Sequence, residues 1–510
     1  MSTEDSGIAA PRDMLISGTW RSASGPRIDI RNPAAPDQTV FECNAATSAD
    51  IEHAVRCARH AFESWADAPA LERFKLLHEY ARIADSRKEL LANTIRAETG
   101  KPHWDASAES ALIGAKVAAT LDQGPLSRVE TKDIKIAATR DGRTSFRPHG
   151  VMAVIGPFNF PAHLPNGHIV PALAMGNTVI FKPSDKTPAS GALIAEWMRE
   201  AAANVNAPAG IITLLQGGAT TAGALVSHDA IDGVLFTGSW SVGRKIIEAN
   251  LDRPGRMLAL EMGGNNAAVV MDDANLDQAV IECARSAFIG TGQRCTCTRR
   301  ILVHRAIANQ FIDRLVKFTQ AIAVGDPRHE VFMGPLISES ARDHVLRAQA
   351  RFVQSGAEVL LRSQALDSEK GWYLTPGILR IDRCTKTDDG QGADIEVFGP
   401  LLRIAVVDSL EEAIAQCNET RYGLAAAIFS QSNESIELFS RRVRAGCVNV
   451  NCGTAGASSK LPFGGIGLSG NHRPAGAFSL DYCAYPVAHM IERSALATGH
   501  PGLPQLKSDE

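Results

Sequence analysis

From Val151 onward the chain repeats one unit: a short apolar run, a turn, then a stretch with helical spacing. Val151–Ile155 leads into a helical stretch over Leu164–Met175. Thr178–Lys182 leads into a helix from Ser190, and Ile231–Phe236 passes through Gly238 into another. Strands that alternate with helices predict parallel sheets covered on both faces, an α/β fold. A second unit of this kind follows Glu261. At 510 residues the chain is too long for one hydrophobic core, so two or three domains are expected.

The earlier part reads less regularly. Residues 1–13 are expected to be a loose tail, and Met14–Trp20 a first strand. Ile51, Ala54, Val55, Ala58, Phe62 and Trp65 recur at helical spacing, with Thr47, Ser48 and Asp50 as capping candidates. A single helical stretch is expected over Leu71–Thr99, stopped by Gly100. Residues 131–146 alternate, and Asp141-Gly142 is a hairpin turn signal. Residues 481–491 read as a late strand.

Composition excludes several classes. A net charge of −4 leaves no basic footprint for nucleic acid or a membrane surface. The apolar stretch from Val151 is broken by Gly156, Pro157, Pro161 and Pro165, short of the ~20 residues of a membrane helix. The polar, acidic start lacks the pattern of a secretory signal. Ten scattered cysteines without framework spacing predict free thiols in a reducing cytoplasm. Cys295-Thr-Cys297 is not a C-x-x-C, and no His/Cys cluster has zinc spacing, so no metal is expected.

Cys295, in Gly292-Gln-Arg-Cys-Thr-Cys297, is the candidate nucleophile. A thiolate attacks an aldehyde carbon readily, and the resulting oxyanion needs donors. The plainer reading is a buried structural cysteine. Glu261, in Leu258-Ala-Leu-Glu-Met-Gly-Gly264, closes an apolar run. A carboxyl in such a place has a raised pKa suited to activating water, although an exposed strand-end ion pair has the same signature. Asn159, in Gly156-Pro-Phe-Asn-Phe-Pro161, is an amide donor or an ordinary turn Asn. Gly238-Ser239 and Gly243 join a strand to a helix, where a dinucleotide can approach. Lys182 and Asp185 end another strand, and Glu396-Val-Phe398 forms a further string.

With these motifs in this order, the chain resembles the aldehyde dehydrogenase superfamily from about Trp20 to Tyr485. The resemblance implies two α/β domains with a small β oligomerisation element. The Rossmann-like NAD-binding domain would span 14–130 and 148–260, and the catalytic domain 261–470. The oligomerisation element would comprise 131–147 and 478–492, with tails at 1–13 and 493–510. It implies Cys295 as nucleophile, Glu261 as general base, and Asn159 with the Cys295 N–H as oxyanion hole; Cys297 is a neighbour. Lys182 and Asp185 would hold the adenosine ribose, Gly238, Ser239 and Gly243 the dinucleotide, and Glu396 the nicotinamide ribose beside Phe398. Asp185 predicts NAD over NADP, since a carboxylate repels a 2′-phosphate. Ile395 stands where the superfamily usually has an acidic residue. A homodimer or larger homo-oligomer is implied.

The strings Asn159–His168, Gly292–Arg300 and Ser469–Pro474 depart from the generic pattern. They resemble a branch whose semialdehyde substrate carries carboxylates; aminoadipate and glutamate semialdehydes stay open beside a doubly carboxylated one. The candidate substrate contacts are His163, with Asn166 and His168 on the same stretch, Thr296, and the loop 451–459 through Gly456 and Ala457. Arg294 and Arg473 are further candidates, each readable equally as a structural ion pair. A small polar loop with free N–H groups can nest a carboxylate, or be a plain connector. A coenzyme A-dependent acylating enzyme would not need Glu261, and a silent scaffold would lose Cys295 or Glu261.

Overall fold

The fold is taken from a computed structural model that describes residues 12–366, 370–495 and 499–504. Most of the two expected tails lies outside those residues. Within them, Arg12 pairs with Glu196 at 3.1 Å, and Asp13 accepts from the amides of Ala23 and Asn44. At the other end Arg493 bonds Asp141 and the Thr139 carbonyl. The chain is therefore fastened from Arg12 to Arg493.

Two seven-stranded sheets organise the molecule. The first has the order 257–261, 233–237, 151–155, 178–182, 212–215, 14–16, 19–21. Its first five strands are parallel, and 14–16 joins antiparallel. Val151–Ile155, Thr178–Lys182 and Gly233–Thr237 are buried along their whole length, as strands covered on both faces must be. The chain runs outward from 151–155 to 212–215, then crosses back to 233–237 on the other side. That reversal is a topological switch point, and ligands of open α/β sheets bind at the carboxyl ends of the strands there. The two strands flanking it end in Gly156–Asn159 and in Gly238-Ser239.

The second sheet has the order 358–361, 377–380, 401–407, 298–304, 266–270, 425–429, 447–450. Cys295 lies just before its strand Thr298–His304, hence at an amino end. The short link from Glu261 to Asn266 ties the carboxyl end of the first sheet to the amino end of the second. This link is what brings the candidate base and nucleophile to one place.

A three-stranded sheet orders 484–492, 140–148 and 132–137. Its turn corrects the expectation. The chain reverses at Ala138-Thr139, and Asp141-Gly142 lies inside the second strand, with Gly142 opposite Ile134. A Cβ on Gly142 would meet the Ile134 and Ile136 side chains at 3.1 Å. The glycine serves side-chain packing across the strands, and register overrides the local turn signal.

Three other expectations shift. The single stretch Leu71–Thr99 is two helices, Ala70–Ser86 and Lys88–Thr99, broken at Arg87, which leaves helical backbone and pairs with Glu200 at 2.7 Å. Gly100 ends the second helix in the left-handed conformation, φ 72°. The strand Met14–Trp20 is a tight hairpin, 14–16 and 19–21, turned by Ser17 and Gly18 at positive φ. At Thr47 the capping box is present, with Asp50 returning the bond. All ten cysteines are free thiols. Among the described residues no helix is long and apolar enough to cross a membrane.

Candidate active site

Cys295 and Glu261 line one cavity of about 430 Å³, together with Thr296, Arg294, His163, His168, Phe160, Lys116, Ala457 and residues of the 475–476 segment. The nucleophile loop is held rigidly. The Asn266 side-chain amide donates to the carbonyls of Cys295, at 2.7 Å, and Cys297, at 2.9 Å, while its oxygen accepts from Ala425 N–H. The Thr454 hydroxyl donates to the Thr296 carbonyl at 2.7 Å. Asn266 does not stand out as functional in the sequence, and Thr454 lies in the candidate loop 451–459 without being singled out there. Asn266 is the last residue of the Gly-Gly-Asn-Asn string after Glu261, and that proximity is the available signal.

The two glycines of that string have identifiable work. A Cβ on Gly263 would collide with the Glu396 carboxylate, and one on Gly264 with Asn266 and the Cys295 carbonyl. Gly264 N–H donates to Glu396 Oε1 at 2.9 Å. The glycines thus let the base strand, the nucleophile loop and Glu396 meet at backbone distance.

Burial sets the protonation of all three groups. Burial raises the Glu261 carboxyl well above its ordinary value, opposed only by a backbone hydrogen bond from Ala475. Its Oε2 is buried without a hydrogen-bond partner among the described residues. Burial, then Glu396 and Glu261, push the Cys295 thiol up to about 12. Burial raises Glu396 also. All the causes acting on Cys295 raise it, so the thiol rests protonated at neutral pH.

The remaining candidates divide. Cys297 is fully buried with its thiol toward the Ile289 carbonyl at 3.6 Å, a packing role. Asn159 is 7% exposed in the loop after Val151–Ile155 but is not among the cavity-lining residues. Arg294 is bound to Asp105 at 2.6 Å and stacks on Phe160 at 4.8 Å, which favours the structural ion pair. Arg473 is exposed and is not among the lining residues. Asn166 is consumed by the Tyr80 hydroxyl and the Ile113 carbonyl. His168 contacts Tyr482 at 2.9 Å and Thr237 at 3.1 Å, and burial lowers it to about 3. His163 keeps a free, buried Nδ1; burial lowers it to about 4, so the ring is neutral. In the loop 451–459, Gly453 and Ala455 amides bond Glu282 and Ser286, whereas those of Gly456 and Ala457 make no hydrogen bond among the described residues. Ala457 lines the cavity; Gly456 does not.

The residues expected to hold a dinucleotide fit one. Helix Trp240–Glu248 starts at the switch point with no side-chain cap, so its first amides are available to a diphosphate. Among the described residues the Ser239 hydroxyl bonds only Ser241, at 2.9 Å. Cβ atoms on Gly238 and Gly243 would strike Phe236 and Met262. Lys182 is buried, and its ammonium donates to the carbonyls of Pro183 and Gly217, the latter at 2.9 Å. Asp185 faces a separate cleft of about 720 Å³ beside Gly218–Thr221. Phe398 meets Phe158 edge-on at 5.9 Å.

Comparison with known proteins agrees with this geometry. The model of the aldehyde dehydrogenase family matches residues 20–486. N-succinylglutamate 5-semialdehyde dehydrogenase of Paraburkholderia xenovorans is 42% identical over 96% of this chain and 99% of its own. The Escherichia coli O9:H4 protein of the same name is 41% identical, over 96% and 98%. Among solved structures, an NAD-dependent aldehyde dehydrogenase from Sinorhizobium meliloti superposes with a TM-score of 0.90 at 30% identity, over 96% of both chains. By motif, by fold and by these matches over nearly its whole length, the chain belongs to the aldehyde dehydrogenase family.

Proposed function

We propose that this chain oxidises N-succinyl-L-glutamate 5-semialdehyde to N-succinyl-L-glutamate with NAD, a step of arginine breakdown by the succinyltransferase route. The observation that carries the reading is the meeting of Cys295 and Glu261 on one cavity, together with the name shared by the full-length relatives. Cys295 Sγ adds to the aldehyde carbon and gives up its proton to solvent water, leaving a tetrahedral oxyanion. The Asn159 amide and the Cys295 N–H hold the oxyanion. NAD, when bound by the residues named below, would supply the acceptor for the hydride that this carbon must lose. The thioester left on Sγ is hydrolysed by a water whose proton Glu261 takes. The amides of Gly456 and Ala457 and the Thr296 hydroxyl supply donors to the substrate's polar groups. Lys182, Gly238, Ser239, Gly243, Glu396 and Phe398 keep the cofactor roles that the family resemblance gives them.

A cavity built to bond carboxylates leaves donors unpaired when the ligand lacks them, so discrimination of roughly 10³-fold is expected. The test compares kcat/KM for succinylglutamate semialdehyde, glutamate semialdehyde and butanal. Comparable values for butanal refute carboxylate recognition, and better turnover of glutamate semialdehyde moves the assignment to that substrate.

Asp185 carries the cofactor preference. The same assay with NAD and NADP is expected to favour NAD; a kcat/KM ratio near one, or above it for NADP, overturns that.

The chain also assembles, on this reading, as at least a homodimer. Strand Lys132–Ala137 is exposed throughout and is an open edge, with Ile134 60% and Ile136 48% exposed. Unpaired apolar edges of this kind are normally covered. Sedimentation at micromolar concentration is expected to show no monomer, and a monomer there refutes the assembly.

A further inference from the structure

We propose that Lys116 is the carboxylate-binding residue of the catalytic cavity, its ammonium taking an anionic group of the substrate. This deepens the proposed function and rests on it. Lys116 lies on helix His103–Thr120, on the buried face that also carries Glu109, Ile113 and Val117. It is 3% exposed and lines the same cavity as Cys295 and Glu261. Its Nζ donates to the Gly476 carbonyl and to the Ser479 hydroxyl, each at 3.1 Å. Both acceptors are neutral, and among the described residues one of the three ammonium donors is left over.

No described carboxylate forms an ion pair with Lys116, although buried cations are normally paired. The neighbouring cations are already committed. Lys101 is bound to Glu109 at 2.6 Å, and Arg294 to Asp105 at 2.6 Å. Glu109 in turn accepts the amides of Ala162 and His163, so that cluster is internally neutral and closed. His163 and His168 are neutral rings. Lys460 reaches the lining from an exposed loop. The lone carboxyl among the described lining residues is Glu261, which burial pushes toward its neutral form. An anion entering this cavity therefore meets one buried, uncommitted positive charge. Burial lowers Lys116 to about 8, which leaves most of it charged at pH 7. A carboxylate arriving there restores a buried ion pair.

The test measures selectivity and stability of Lys116→Met and Lys116→Gln against wild type. Substrates are succinylglutamate semialdehyde, N-acetylglutamate semialdehyde, which keeps only one carboxylate, and butanal. The kcat/KM ratio of succinylglutamate semialdehyde to butanal is expected to fall about 100-fold in both variants, chiefly through KM. Tm is expected to hold or rise in Lys116→Met, since an unpaired buried charge has been removed. If the acetylated substrate suffers the same penalty, Lys116 holds the amino-acid carboxylate; if it is spared, Lys116 holds the succinyl carboxylate. A wild-type ratio retained in both variants overturns the assignment, as does a loss of equal size for butanal with a lowered Tm, the mark of a structural lysine. Wild-type enzyme that does not favour the carboxylated substrate removes the proposed function and this assignment together. Selectivity that survives the substitutions removes the assignment alone.

Discussion

Cys295→Ala is expected to lower turnover by on the order of 10⁴-fold or more while leaving the Kd for NAD near its wild-type value. The thiol bonds to the reacting carbon in the proposed chemistry and belongs to no group expected to hold the dinucleotide. The loop that carries it is fixed through backbone carbonyls, by Asn266 and Thr454, so removing the side chain leaves those ties in place. Cys297→Ala is the matched control, because that thiol faces the Ile289 carbonyl and is expected to leave most activity. Single-turnover assays with titration of NAD separate the two effects. A covalent thioester trapped on another cysteine of the wild type sinks the assignment. Because burial and two carboxyl groups hold the resting thiol near 12, rapid alkylation at neutral pH is expected only after a cation or a proton acceptor enters the cavity.

What can be read from the chain follows from how local each signal is. The strand-turn-helix units announce the first sheet because a buried parallel strand is written in consecutive residues, as in Val151–Ile155. Cys295 and Glu261 are legible because each sits in a short string of its own. The reason for Gly263 and Gly264 is not, since it depends on Glu396, 132 residues beyond Gly264. Arg294 illustrates the converse: its string marks a cation near the nucleophile, and only the fold shows that Asp105, 189 residues away, has already taken it. Lys116 escapes notice because a lysine in a helix reads as surface. The one hint is its heptad spacing from Glu109 on the apolar side. The hairpin turn fails for a related reason: Asp141-Gly142 has strong local chemistry, but packing of Ile134 and Ile136 across the strands decides the register.

Glu261→Gln is expected to give a burst of NADH close to one per site and then slow turnover by about 10²–10⁴-fold. The amide has the shape of the carboxyl, so the close approach of Gly464, whose Cβ would lie 2.8 Å from Glu261 Oε1, is preserved. What it lacks is the lone pair of a carboxylate able to take a proton from water. The wild-type geometry suits proton abstraction, because Oε2 is buried without a partner among the described residues and Glu261 lines the cavity that holds Cys295. The raised pKa fixes the sign of the pH effect. Glu261 is protonated below its elevated pKa and becomes a base only above it, so thioester hydrolysis is expected to rise with pH through that value and then level. In the Gln variant that rise should vanish from the steady state while the burst survives. Stopped-flow measurement of NADH formation across pH checks both points. Equal loss of burst and steady state would place Glu261 before hydride transfer, as the group that deprotonates Cys295, and a steady state with the wild-type pH rise would assign the base to another residue.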